Sequence, residues 1–170
     1  MAWDTEWAAE RASEALRYLV EHYPEALVQV ANDAVRRLTD SRELTLVPID
    51  TRLEANESGL RTPGEVEALI ARMDAVITTR LHGTVLALKN GVPVLAIDVL
   101  GDGRKVLRQC ERIGWPVVFA ADQLDDAALA DALAYCLSEA ARRAVQETSM
   151  RARALAADVR QGFLEAVARS

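Results

Sequence analysis

The spacing of apolar residues changes character along the chain, and each change marks an element. Over residues 3–22 the apolar positions Trp7, Ala8, Ala12, Ala15, Leu16, Leu19 and Val20 recur every three or four residues, with charged residues between them. That spacing predicts an amphipathic helix. Pro24 suits a first helical position, and Leu27, Val28, Ala31, Ala34, Val35 and Leu38 carry a second stripe over 24–39. At "LTLVPID", residues 44–50, the pattern shortens to a β-rich run with Pro48 near its end, which predicts a first strand. The polar, Gly- and Pro-bearing stretch 51–64 predicts a loop, either over a site or on the surface.

From Thr62 the rhythm becomes regular. Thr62, Pro63 and Glu65 form a capping-box pattern that opens a helix over 63–73. A strand over 75–78, a helix over 81–90 closed by Gly91, and a strand over 93–97 follow. Residues 98–114 read as a Gly-containing loop feeding an amphipathic helix, and 116–119 as a further short strand. Two helices, 125–138 and 140–169, finish the chain, and the second is long enough to need a surface to lie on. Strands alternating with helices imply a parallel sheet, because parallel neighbours require crossovers and a helix is the usual crossover.

The expected fold is therefore α/β, a Rossmann-like parallel sheet of three to five strands with helices on both faces. It forms one domain over 1–170, with a helical segment at 1–43, an α/β core at 44–122 and carboxyl-terminal helices at 123–170. A doubly wound fold normally begins with a strand, whereas this pattern begins with a helix. The reading is that an opening strand, or a whole partner domain, is supplied from outside these residues. Trp3 and Trp7, one turn apart, either mark where that partner packs or cover the local core.

Composition narrows the classes. With 51% apolar and 27% charged residues the chain is an ordinary globular one. A net charge of −6 disfavours nonspecific binding to nucleic acid. Arg142-Arg143 and the arginines from Arg151 to Arg160 are interleaved with Ala, Glu and Asp as on a solvated helix face. No signal-peptide pattern and no apolar run of about 18 residues occurs, so a cytoplasmic chain without a membrane span is expected. Cys110 and Cys136 are far apart and belong to no Cys/His cluster, which points to two small buried residues.

In an open parallel sheet ligands bind beyond the carboxyl ends of the strands. That rule selects Thr78-Thr79-Arg80-Leu81-His82-Gly83-Thr84, between a strand and a helix, and the stretch from Asp98 to Lys105 after the next strand. At the first, backbone N–H groups at the helix end favour an anion, Arg80 adds a planar fork, and His82 adds a donor or proton carrier. At the second, Gly101 and Gly103 allow close backbone approach while Arg104 and Lys105 supply charge. Asp98, Asp102 and Glu57 are candidate rim carboxylates. A structural alternative stands beside this pocket: Arg80 pairing with Asp74 or Asp98, and His82 as a half-buried capping histidine. No nucleophile motif, P-loop or G-x-G-x-x-G is present.

The stretch "MDAVITTRLHGTVLALKNGVPVLAI", residues 73–97, resembles the polysaccharide pyruvyl transferase family, in which a strand leads into Arg-Leu-His or Arg-Phe-His, an apolar helix, Gly-Val-Pro and another strand. The resemblance extends less specifically to "LVPID", "GEVEALIARMD", Lys105 and "ERIG". It implies the carboxyl-terminal half of a two-domain enzyme like the GT-B glycosyltransferases, moving the enolpyruvyl group of phosphoenolpyruvate onto two sugar hydroxyls as a ketal in cell-surface polysaccharide synthesis. Carried over to this sequence, Arg80 and His82 are catalytic. Arg80 holds the donor's phosphate or carboxylate; His82 binds phosphate or acts as general acid towards the enol carbon. Thr78, Thr79, Gly83, Gly101, Gly103, Arg104 and Lys105 complete a substrate-binding set. The family usually has a shorter, aromatic-containing link where this chain has Val99-Leu100-Gly101-Asp102-Gly103, a departure that bears on Lys105.

The chemistry suits cations and a helix end, without a cofactor or a metal. The expected partners are phosphoenolpyruvate or a similar phosphate-bearing donor, a saccharide acceptor, and an amino-terminal domain or partner chain; a homo-oligomer is a further option. Alone, the 170 residues are expected to be inactive. Two other functions remain at this level: the carboxyl-terminal half of a nucleotide-sugar glycosyltransferase, and a non-catalytic assembly domain.

Overall fold

The computed structural model describes residues 24–40, 42–50, 59–99 and 104–169. The helix predicted at 3–22, with Trp3 and Trp7, lies outside them, as do Glu57, Gly101, Asp102 and Gly103. In chain order the helices are α1 (Pro24–Asp40), α2 (Pro63–Ile70), α3 (Leu81–Lys89), α4 (Lys105–Ile113), α5 (Asp126–Cys136) and α6 (Glu139–Ala168). The strands are β1 (Val76–Thr78), β2 (Val94–Asp98) and β3 (Val118–Ala120).

The three strands pair in parallel in the order β1-β2-β3, with Val76 opposite Val94, Thr78 opposite Ala96 and Asp98 opposite Ala120. β2 is buried at all five positions, whereas β1 and β3 are half-buried throughout. An unbroken run of buried residues, rather than alternation, is what a central parallel strand covered on both faces needs. The crossovers α3 and α4 progress across the sheet in one direction, so their right-handedness puts both on one face, where they touch each other. α5 also contacts β2 and packs against α1. The first half of α6 leans on α3, α4 and α5 through buried Ala141, Val145 and Thr148, and Ser149 Oγ donates to Leu88 O at 2.7 Å.

One buried polar contact closes the middle of the sheet. Ala96 takes Val117 O as partner, so Val94, two residues earlier, turns its carbonyl to the same side, ahead of the first β3 residue. The indole Nε1 of Trp115, a residue only 2% exposed, donates to that carbonyl at 2.8 Å. Gly114, with φ 78, ends α4 in the left-handed region and reverses the chain so that Trp115 can reach it.

The β1–α3 junction is equally compact. Thr78 Oγ1 accepts from Arg80 N at 3.1 Å, and Thr84 Oγ1 donates back to Arg80 O at 3.0 Å. Gly83 lies against Thr78: a Cβ there would stand 2.6 Å from Thr78 Oγ1. Here glycine is required by close approach rather than by backbone angles.

Peripheral ties are ionic. The Arg37 fork meets Asp126 at 3.0 and 2.9 Å, joining α1 to α5. Glu67 pairs with Lys89 Nζ at 2.7 Å and accepts from Asn90 Nδ2 at 3.0 Å, joining α2 to α3. The predicted capping box is present, Glu65 Oε2 accepting from Thr62 N and Thr62 Oγ1 from Glu65 N. These contacts hold three carboxyls below their usual range: Glu65 through the N–H groups of Arg61 and Thr62, Glu67 through Lys89, and Asp126 through Arg37. Burial pushes the thiols of Cys110 and Cys136 up to about 12, as suits two small core residues.

The parallel α/β sheet, at three strands, matches the expected class, and element limits shift by a few residues. The helix expected over 63–73 stops at Ile70, and the last strand shifts to Val118–Ala120. The strand expected at 44–50 is absent. That segment forms no ladder; Leu44 and Ile49 pack on the core while Leu46 and Val47 are exposed. β-rich residues make a strand only against a partner, and Pro48 removes one of the N–H groups that pairing would use. The long helix has a surface for its first half only: from Ala156 to Arg169 every residue is exposed, Val159 and Phe163 included.

Three outcomes follow for stability. Trp115→Phe keeps an aromatic ring but orphans a buried carbonyl, so urea unfolding should show a loss of about 1–3 kcal/mol. Gly83→Ala should cost a similar ~1–3 kcal/mol, because the β-branched Thr78 has little room to yield, and adding Thr78→Ala should recover part of it. Since Glu65, Glu67 and Asp126 titrate lower when folded than when unfolded, their contribution is present above the unfolded value and disappears in acid. The urea midpoint should fall as pH drops through about 4, and less steeply in Glu67→Gln than in the parent chain.

Candidate functional site

Parallel pairing in register sets the carboxyl ends of β1 and β2 side by side, so the entrances to α3 and α4 share one edge of the sheet. The two predicted segments are thus neighbours. Their helix ends differ in how they are satisfied.

At α3, Arg80 is the N-cap residue, extended at φ −113 and ψ 137, and its side chain makes no capping bond. The first-turn N–H groups of an α-helix have no acceptor within the helix, so this end presents donors and positive potential outward. The side chain of Arg80 is 41% exposed and meets Asp50, Nε to Oδ1, at 3.6 Å. The partners foreseen from sequence, Asp74 and Asp98, are engaged elsewhere. Asp74 meets Arg142 at 3.3 Å. His82 is exposed in the first turn of α3 and Thr79 half-buried just before it, while Thr78 and Gly83 are taken up by the junction itself.

At α4 the helix end already holds a carboxylate. Asp98 is 4% exposed, and its Oδ2 accepts from Val106 N at 2.8 Å and Leu107 N at 3.0 Å. The negative charge compensates the positive helix end and satisfies two of its donors. Asp98 is therefore the last residue of a buried strand that caps the next helix, and not a carboxylate at the rim. Arg104, left-handed at φ 35, and Lys105 remain exposed at the start of α4. Gly101, Gly103, Asp102 and Glu57 lie outside the described residues.

The arrangement gathers an open helix end, a partly exposed guanidinium and an exposed imidazole at one strand terminus, with a second pair of cations at the next helix. Such a set has the chemistry to hold a small anion and to stabilise charge leaving on a phosphate. Among the described residues, no group of three or more His, Cys, Asp or Glu side chains is placed to hold a metal ion. Sequence reasoning missed Asp50. Its one available signal was an acidic residue closing an extended run, and the 30-residue separation from Arg80 hid the pairing.

Comparison with known proteins bears on this edge directly. The family model described as polysaccharide pyruvyl transferase matches residues 10–100, a span that includes Asp50, β1, the Arg80 to Thr84 turn, α3 and β2. No curated protein and no solved structure matches the chain. With more than half of its 170 residues aligned to that one model, the chain belongs to the polysaccharide pyruvyl transferase family.

Proposed function

We propose that the chain is the donor-binding, carboxyl-terminal half of a GT-B-like enzyme that transfers a pyruvyl group from phosphoenolpyruvate to a polysaccharide sugar. Another α/β domain, on the same or a partner chain, holds the acceptor, and the reaction takes place in the cytoplasm. The observation that carries this reading is the placement of Arg80 and His82 at the uncapped amino end of α3, on the carboxyl edge of the sheet, in a chain of this family.

The chemistry follows from the donor. Two sugar hydroxyls add to the central carbon of phosphoenolpyruvate, the enol CH2 becomes CH3 by gaining one hydroxyl proton, and the second hydroxyl proton leaves with inorganic phosphate. Proton delivery to carbon makes that centre cationic, and departure of phosphate places charge on its oxygens. Arg80 holds the phosphate or the carboxylate as a planar fork, and the α3 end adds backbone donors. His82 either binds the phosphate or supplies the proton to carbon. Thr78, Thr79 and Gly83 shape the turn that presents them, and Arg104 and Lys105 add positive charge from α4, beside the glycines Gly101 and Gly103. No cofactor enters this scheme, and the accompanying wall of the cleft supplies the acceptor site.

Titration of the isotopically labelled chain with phosphoenolpyruvate should shift the amides of residues 79–84. Arg80→Ala and His82→Ala should each weaken binding by at least tenfold, or ~1.4 kcal/mol. Unchanged binding in both variants overturns the site. Tighter binding of a nucleoside diphosphate than of phosphoenolpyruvate, by the same factor, would replace this donor with a nucleotide sugar.

A further inference from the structure

Arg80 needs something to hold it. Its backbone is extended, its side chain makes no capping bond and is 41% exposed, and a free arginine samples many rotamers. A fork that must meet a carboxylate or phosphate in one plane works only if that freedom is removed before the ligand arrives.

The group placed to remove it is Asp50. The segment 42–50 forms no ladder, yet Leu44 and Ile49 are packed against the core, so Asp50 follows directly on an anchored residue. Its side chain is 25% exposed and approaches Arg80 through Nε, at 3.6 Å. That approach is made through Nε, and a guanidinium has two further nitrogens with which to meet an oxyanion. The pair is also too long to count as a hydrogen bond and too exposed to contribute much to folding. Its consequence should therefore appear in ligand binding and not in stability.

We infer that Asp50 is a positioning residue that orients Arg80 for the donor anion. The inference rests on the function proposed for Arg80, and it adds a residue from outside the strand–helix junction. A carboxylate near an anion site also repels the ligand. Solvent around both side chains screens this repulsion and the orienting contact alike, so the sign of the change in Asp50→Asn decides between them.

The test is a double-mutant cycle on the full 170-residue chain, with phosphoenolpyruvate and separately inorganic phosphate as probes, followed by amide shifts. Asp50→Asn should weaken phosphoenolpyruvate binding about 3- to 10-fold, and Asp50→Glu, which keeps the charge, should stay within about twofold of the parent. In an Arg80→Ala background Asp50→Asn should change nothing, and its thermal midpoint in either background should stay within about 2 °C. The inference is overturned if Asp50→Asn leaves binding unchanged or tightens it, or if it costs the same with and without Arg80. The two readings fail differently. Loss of binding in Arg80→Ala with no effect of Asp50→Asn removes only this inference; no effect of either Arg80→Ala or His82→Ala removes the proposed site and the inference together.

Discussion

Burial of β2 on both faces is the constraint from which the rest of the molecule follows. Five consecutive residues, Val94 to Asp98, are withdrawn from water between two parallel neighbours. Parallel neighbours cannot be joined by tight turns, so each connection must cross the sheet as a helix and return to the same end. The entrances of α3 and α4 therefore lie together at the carboxyl edge, whatever their side chains are. Trp115 supports the arrangement from the opposite end of β2, covering a carbonyl that β3 is too short to reach. Aligned apolar residues drive the burial, and the backbone's need for partners selects the geometry.

The two helix ends created in this way have become unlike. The α4 end is neutralised internally by Asp98, a carboxylate that is nearly inaccessible and accepts two backbone N–H groups. The α3 end is capped only by the backbone of Arg80, with Thr78 and Gly83 packed so tightly beneath it that the turn has one shape. One helix end thus has a carboxylate from the fold as its cap, and the other has no side-chain cap. The family match spans both the α3 turn and Asp98.

Two surfaces lie outside the compact core. The α6 residues from Ala156 onward carry Val159, Phe163, Leu164 and Val167 in solvent, and β1 is an edge strand of the three described, with Arg80 and its partner Asp50 beyond its carboxyl end. Among the described residues, no helix is long and apolar enough to cross a membrane. The proposed donor site lies on one edge of the sheet, and the proposed acceptor wall belongs to another domain.

Much of the architecture was legible in local pattern. The capping box at Thr62 and Glu65, the alternation of short apolar runs with helical stripes, and the position of Arg80 and His82 at a strand exit depend on residues within a few positions of one another. Periodicity and turn chemistry report such relations faithfully. The segment 44–50 was not legible, because β-rich residues become a strand only when a partner edge accepts their hydrogen bonds. Nor were the fates of three aspartates: Asp50 meeting Arg80, Asp74 meeting Arg142, and Asp98 turning inward to α4. In sequence all three are polar residues near strand ends. Sequence alone determined which short stretches form elements and that a cationic turn follows β1; the tertiary structure decided which carboxylate meets which cation, since a salt bridge is chosen by distance in space, and distance is known only once the strands have paired.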